Sequence, residues 1–154
     1  MHSIKRILFA EDSPRDAELT LAALAAHNLA NTVVHVRDGA DALDYLYRHG
    51  AFAGRTDEQP VVVLLDLKMP KVDGLEVLRR VRAAERTRRL PIVILTSSQE
   101  ETDLTHSYDL GVNSYIHKPV SFEQFTQAVR QLGLYWLLLN KLPDSPGKTD
   151  GDAR

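Results

Sequence analysis

The sequence predicts an α/β protein with a central parallel sheet and helices on both faces. Two observations carry this expectation. Five short apolar runs alternate with longer amphipathic stretches, the pattern of successive βαβ units. Three of the runs are apolar without interruption, as strands covered on both faces must be. The other two carry polar residues that suit the sheet edges.

The first strand is Arg6-Ile7-Leu8-Phe9-Ala10. A helix follows it, with Ser13 able to cap, Pro14 at the first turn, and Ala17, Leu21 and Leu24 at helical spacing. Thr32-Val33-Val34-His35-Val36 is the second strand. The helix after it, from Ala40 to Arg48, has the weakest pattern, and His49 to Pro60 has no apolar period and reads as a loop. Val61-Val62-Val63-Leu64-Leu65 is the third strand. Asp73-Gly74 then opens a helix with Leu75, Leu78 and Val81 on one side and Arg79, Arg80 and Arg82 on the rest. Ile92-Val93-Ile94-Leu95-Thr96 is the fourth strand. Ser98-x-x-Glu101 is a capping box whose helix meets a glycine stop at Leu110-Gly111. Ser114-Tyr115-Ile116-His117 is the fifth strand, and Ser121-x-x-Gln124 caps the last helix.

Composition narrows the class. The 154 residues match the size of one domain, 44% hydrophobic and 26% charged. That domain is expected over residues 4–139, ending in an extended C-terminal helix. Residues 140–154, rich in Pro, Gly and Asp, read as a disordered tail. No apolar run exceeds six residues, far short of the roughly 20 of a membrane span. No apolar stretch follows the basic Lys5-Arg6 pair to make a signal peptide. The absence of cysteine excludes disulfides, thiolate metal sites and a Cys nucleophile, and fits a reducing cytoplasm. A net charge of −2 gives no basic surface for nucleic acid or an anionic membrane. The arginines at 79, 80, 82, 86, 88 and 89 are interspersed with Glu76 and Glu85 and read as a solvated helix face.

Ligands of open parallel sheets bind beyond the carboxyl ends of the strands. Glu11-Asp12 follow the first strand, Asp66 the third, Thr96 ends the fourth, and Lys118-Pro119 follow the fifth. Three carboxylates gathered at one sheet end repel, which raises at least one pKa. A hard divalent cation such as Mg²⁺ relieves that conflict with oxygen ligands. Lys118 adds a second positive charge and Thr96 a hydroxyl donor. Such a site is equipped for Asp66 to attack a phosphoryl group in line and form an acyl phosphate.

Glu11-Asp12, Leu64-Leu65-Asp66-Leu67-Lys68-Met69-Pro70-x-x-Asp73-Gly74, Ile94-Leu95-Thr96-Ser97 and Tyr115-Ile116-x-Lys118-Pro119 together resemble the receiver domain of two-component response regulators. The resemblance implies a flavodoxin-like sheet of order 2-1-3-4-5. It implies Asp66 as phosphoacceptor. Glu11 and Asp12 would hold Mg²⁺ or Mn²⁺ together with Asp66 and the Lys68 backbone carbonyl. It implies Thr96 as a switch hydroxyl, Tyr115 as an aromatic that turns inward on activation, Lys118 as the ion-pair partner, and a cis Lys118–Pro119 bond. The chain is then a stand-alone receiver rather than an enzyme, phosphorylated by a histidine kinase, with no DNA-binding output domain.

The chain is similar to regulators paired with bacterial phytochrome kinases in its long loop before the third strand, in residues 107–115 and in the ending Tyr135-Trp136-Leu137-Leu138-Leu139-Asn140. A homodimer is expected from the last helix. Phe122, Phe125, Val129 and Leu132 form one core stripe, whereas Leu134–Leu139 would be apolar on every side of a continuous helix.

Two other functions fit the fold class. An aspartate-nucleophile phosphohydrolase usually presents a second Asp two residues after the first; Lys68 stands there. A flavin-binding domain would need a phosphate-cradling loop after the first strand, and none appears. The six histidines show no ligand spacing, no Ser-His-Asp arrangement has a supporting context, and Gly-x-Gly-x-x-Gly is absent.

Overall fold

The computed structural model describes residues 5–25, 33–97 and 110–134. Strands β1 (Ile7–Ala10), β2 (Val33–Val36), β3 (Val62–Asp66), β4 (Ile92–Thr96) and β5 (Ser114–His117) form one parallel sheet of order β2-β1-β3-β4-β5. Helices α1 (Pro14–Ala25), α2 (Gly39–Tyr47), α3 (Gly74–Ala83) and α4 (Phe122–Gln131) pack against it. The expected doubly wound topology is therefore present, with the two polar runs at the edges.

The uninterrupted apolar runs are explained by two cores. Strand side chains alternate between faces, so Leu8, Val63, Leu65, Ile92 and Ile94 join α2 and α3 in one cluster. Ile7, Phe9, Val62, Leu64, Val93 and Leu95 join α1 and α4 in the other. Every residue of β1, β3 and β4 is buried. No helix among the described residues is long and apolar enough to cross a membrane.

The segment with the weakest helical pattern makes a well-capped helix. Asp38 accepts a hydrogen bond from Asp41 N–H at the start of α2, and Ala42, Leu43, Tyr45 and Leu46 are buried. The stretch after it is a hydrogen-bonded plug rather than an irregular loop. It opens with a 3-10 turn at Gly50–Phe52. Arg55, its side chain only 7% exposed, donates to the carbonyls of Tyr45, Asp57 and Glu58 and to the Asp57 carboxylate. Its guanidinium stacks 3.9 Å from the Tyr45 ring centroid.

Two expectations need correction. The arginine face is only partly solvated: Arg79 and Arg80 pair with Glu76, but Arg82 is half-buried against the backbone. It donates to the carbonyls of Arg88 (3.1 Å), Leu90 (2.8 Å) and Gly111 (2.9 Å), and to Asn113 Oδ1 (2.8 Å). Arg82 thus ties the end of α3 to the turn ahead of β5, and burial lowers its pKa.

The second correction concerns the extended last helix. The Ser121 capping box is formed as expected, but α4 closes at Gln131. Gly133 adopts φ 73°, Leu134 N–H donates to Val129 O and Gly133 N–H to Arg130 O. That is a Schellman stop. Leu134 folds back onto the core beside Phe125 and Val129. A single unbroken helix from Ser121 to Leu139 is therefore not formed. The helix expected from Ser98, the apolar residues 135–139 and the tail at 140–154 lie outside the described residues.

Candidate functional site

Strand register delivers the acidic residues to one place. Ala10 is level with Leu65 and Asp66 with Leu95, so Glu11, one residue beyond β1, stands beside the end of β3. Glu11 N–H donates to Val36 O (3.0 Å), and the His35 ring N–H donates to the Glu11 carbonyl (2.9 Å). Edge strand β2 thereby fixes the backbone at Glu11. Glycine shapes the other wall: a Cβ at Gly74 would stand 2.3 Å from the Asp66 carbonyl oxygen. Only glycine lets the start of α3 approach the end of β3 so closely.

Glu11, Asp12 and Asp66 each offer a carboxylate oxygen, all within 4.8 Å of one another. Lys118, one residue past β5, closes the opposite side. Its Nζ lies 2.8 Å from Asp66 Oδ1, 3.1 Å from Glu11 Oε1 and 3.2 Å from Asp16 Oδ2. The Lys118–Pro119 bond is cis. Glu11 and Asp66 are buried at 1% and 3% exposure, while Asp12 faces water. These groups border an open cleft of about 500 Å³ that also reaches Lys68 and Ser97.

Electrostatics follows from that burial. Desolvation raises the Glu11 pKa, and Lys118 only partly offsets it. Burial alone would lower the Lys118 pKa, but the contacts with Asp66 and Glu11 outweigh it and raise the value. One ammonium therefore faces three carboxylates, those of Asp66, Glu11 and Asp16. A small divalent cation fits this donor set: hard oxygen ligands, excess negative charge and a buried carboxylate whose ionised form needs a partner.

Thr96 is 1% exposed at the end of β4, and its hydroxyl donates to the Ser97 carbonyl (3.0 Å). Tyr115 points away from the cluster. It is 39% exposed on edge strand β5, with its ring edge-on to His117 at 5.3 Å.

Comparison with known proteins decides the family. The response regulator receiver domain matches residues 7–130. The chain belongs to that family. It is 42% identical over 137 residues to the probable methanogenesis regulatory protein FilR2 of Methanothrix harundinacea, covering 89% of this chain and 86% of that protein. It is similar to the bacteriophytochrome response regulator AtBRR at 54% identity and a TM-score of 0.82, covering 91% of this chain and 100% of that one. The Mn²⁺-bound form of response regulator Rcp1, from Synechocystis, superposes with a TM-score of 0.68 at 32% identity, over 90% of this chain and 96% of that one.

The receiver fold brings Glu11, Asp12, Asp66, Lys68, Thr96 and Lys118 to one end of the sheet and leaves Tyr115 on the outer edge. Sequence reasoning missed Asp16 and His35. Asp16 carried a signal, since it falls on the first turn of the helix that follows Glu11-Asp12. His35 carried none, because its partner is a backbone carbonyl set by strand pairing.

Proposed function

We propose that this receiver is a phosphorylation-operated signalling switch in which Asp66 accepts a phosphoryl group from the phosphohistidine of a sensor histidine kinase. The observation that carries the reading is the position of the buried Asp66 carboxylate, between the Lys118 ammonium and the Glu11-Asp12 pair. An Asp66 oxygen attacks phosphorus and a P–O bond forms. The P–N bond to the donor imidazole breaks, and its electron pair returns to the ring nitrogen. Lys118 stands where it can meet the developing negative charge.

Glu11, Asp12 and Asp66, with the Lys68 carbonyl, would hold Mg²⁺ or Mn²⁺. The bound cation supplies charge neutralisation for the phosphoryl oxygens. Thr96 exchanges its Ser97 carbonyl for a phosphoryl oxygen, and Tyr115 turns inward from its exposed position. The switch is a two-state element biased by local charge. In this reading the chain catalyses only its own phosphorylation and dephosphorylation.

The partner we assign is a phytochrome-type kinase, supported by the likeness to AtBRR. Output runs through the receiver's own surface and a homodimer built on the C-terminal region, in the reducing cytoplasm that a cysteine-free chain suits. Incubation with acetyl phosphate and Mg²⁺, followed by intact-mass measurement, tests the reading. The wild type gains one phosphoryl group and Asp66→Asn gains none; an undiminished adduct in Asp66→Asn contradicts it.

A further inference from the structure

Asp16 occupies the third position of α1, where an acidic side chain ordinarily reaches back to the N–H of the capping residue. Here that N–H is taken: Ser13 N–H donates to Glu11 Oε2 at 3.2 Å. The Ser13 hydroxyl still caps Asp16 N–H (3.2 Å), so half of the capping box is made and the Asp16 carboxylate is released from the other half. It turns into the cleft instead, and its Oδ2 lies 3.2 Å from Lys118 Nζ. Asp16 is not one of the three carboxylates whose oxygens cluster within 4.8 Å. It engages the lysine from the α1 side.

Resting on the phosphoacceptor reading above, we propose that Asp16 is a positioning residue that competes with the phosphoryl group for the Lys118 ammonium. In the resting protein Lys118 is shared among Asp66, Glu11 and Asp16. When Asp66 carries a phosphoryl group, the new oxygens demand the same ammonium, and the Asp16 contact opposes that demand. The Asp16 charge also repels the incoming anion directly. Both effects favour the unphosphorylated state. Asp16 therefore sets how strongly the switch must be driven, and it links the start of α1 to the turn between β5 and α4. Glu11 and Asp66 still hold Lys118 when Asp16 is neutralised.

The test uses the full chain and beryllofluoride, an analogue of the phosphoryl group on an aspartate, titrated in the presence of Mg²⁺. Asp16→Asn is expected to bind beryllofluoride about two- to fivefold more tightly, the size of a partly exposed ion pair. Its Mg²⁺ affinity should fall slightly or stay within about twofold, because one nearby negative charge is lost. Asp16→Glu, which keeps the charge, should remain near the wild type. In a Lys118→Met background the gain from Asp16→Asn should shrink to the part left by direct repulsion of the anion. In EDTA, the urea midpoints of Asp16→Asn, Lys118→Met and the double variant should be non-additive, a readout that needs no bound ligand. Unchanged or weaker beryllofluoride binding by Asp16→Asn overturns the proposal, as does an equal gain without Lys118 or additivity of the midpoints. A wild type that fails to bind beryllofluoride, matching Asp66→Asn, overturns the phosphoacceptor reading and this proposal with it.

Discussion

Lys118 holds its ammonium 2.8 Å from Asp66 Oδ1 at the carboxyl end of the sheet. The contact joins residues 52 positions apart and matters to stability as well as chemistry. Lys118→Met leaves buried Glu11 and Asp66 facing each other without their cation. In EDTA this should cost about 2–4 kcal/mol of unfolding free energy, somewhat below the roughly 3–5 kcal/mol for breaking a fully buried ion pair from one side, because Lys118 is partly exposed. Urea unfolding measures it. Mg²⁺ should recover part of the loss, and an unchanged midpoint in EDTA would show that the pair is not coupled to folding.

The exposed carboxylate of Asp12 and the buried one of Glu11 should make phosphorylation depend on a divalent cation. EDTA should abolish the acetyl phosphate reaction. Asp12→Ala should weaken Mg²⁺ binding by at least the ~10-fold that follows loss of a supporting contact. Calorimetric titration gives the affinity, and EDTA-resistant phosphorylation would refute the metal assignment.

At the far end of the sheet, Arg55 serves the carbonyls of Tyr45, Asp57 and Glu58 from within the protein. Arg55→Met should destabilise the chain by about 2–4 kcal/mol, because those acceptors lose a buried charged donor. Asp57 reports on the same network. Burial would raise its pKa, but the Arg55 hydrogen bond and charge, aided by Arg6, hold it below the usual carboxylate range. Its stabilising contribution is present above the unfolded-state value of 3.8 and is lost as pH falls through the depressed folded value. The acid limb of a stability–pH profile should therefore flatten in Arg55→Met; an unchanged limb would remove Asp57 from the account.

Much of this was legible in the sequence. Strand identity could be read because apolar runs such as Val62–Leu65 fill both cores, whereas the sheet order came from the family resemblance. The acidic cluster could be read because topology alone gathers strand ends. Other features depend on geometry that no spacing reveals. The Arg55 plug lacks any period, since its order comes from one side chain bonding to backbone carbonyls. Arg82 resembles its solvated neighbours until its four acceptors are seen. The stop at Leu132-Gly133 has the same Leu-Gly form as the stop expected at Leu110-Gly111, but the apolar run after it masked the signal. Asp16 was hidden for a different reason: its role depends on Glu11 having filled the capping position first.

The Schellman stop changes how a dimer would be built without removing the reason for one. Leu134 packs against the receiver's own core, so the proposed dimer is assigned to the residues after it. Light scattering at tens of micromolar should give a dimer for the full chain and a monomer for the chain shortened to Gly133. A monomeric full chain would refute the assembly.

The most direct test of the central claim locates the phosphoryl group. Borohydride reduction of the chain after acetyl phosphate and Mg²⁺ treatment converts an acyl phosphate to a homoserine residue, which peptide mass mapping assigns to a position. Conversion confined to residue 66, and absent when Mg²⁺ is chelated, is the expected result. Conversion at another carboxylate, or none at all while the intact mass still rises, would contradict Asp66 as the acceptor.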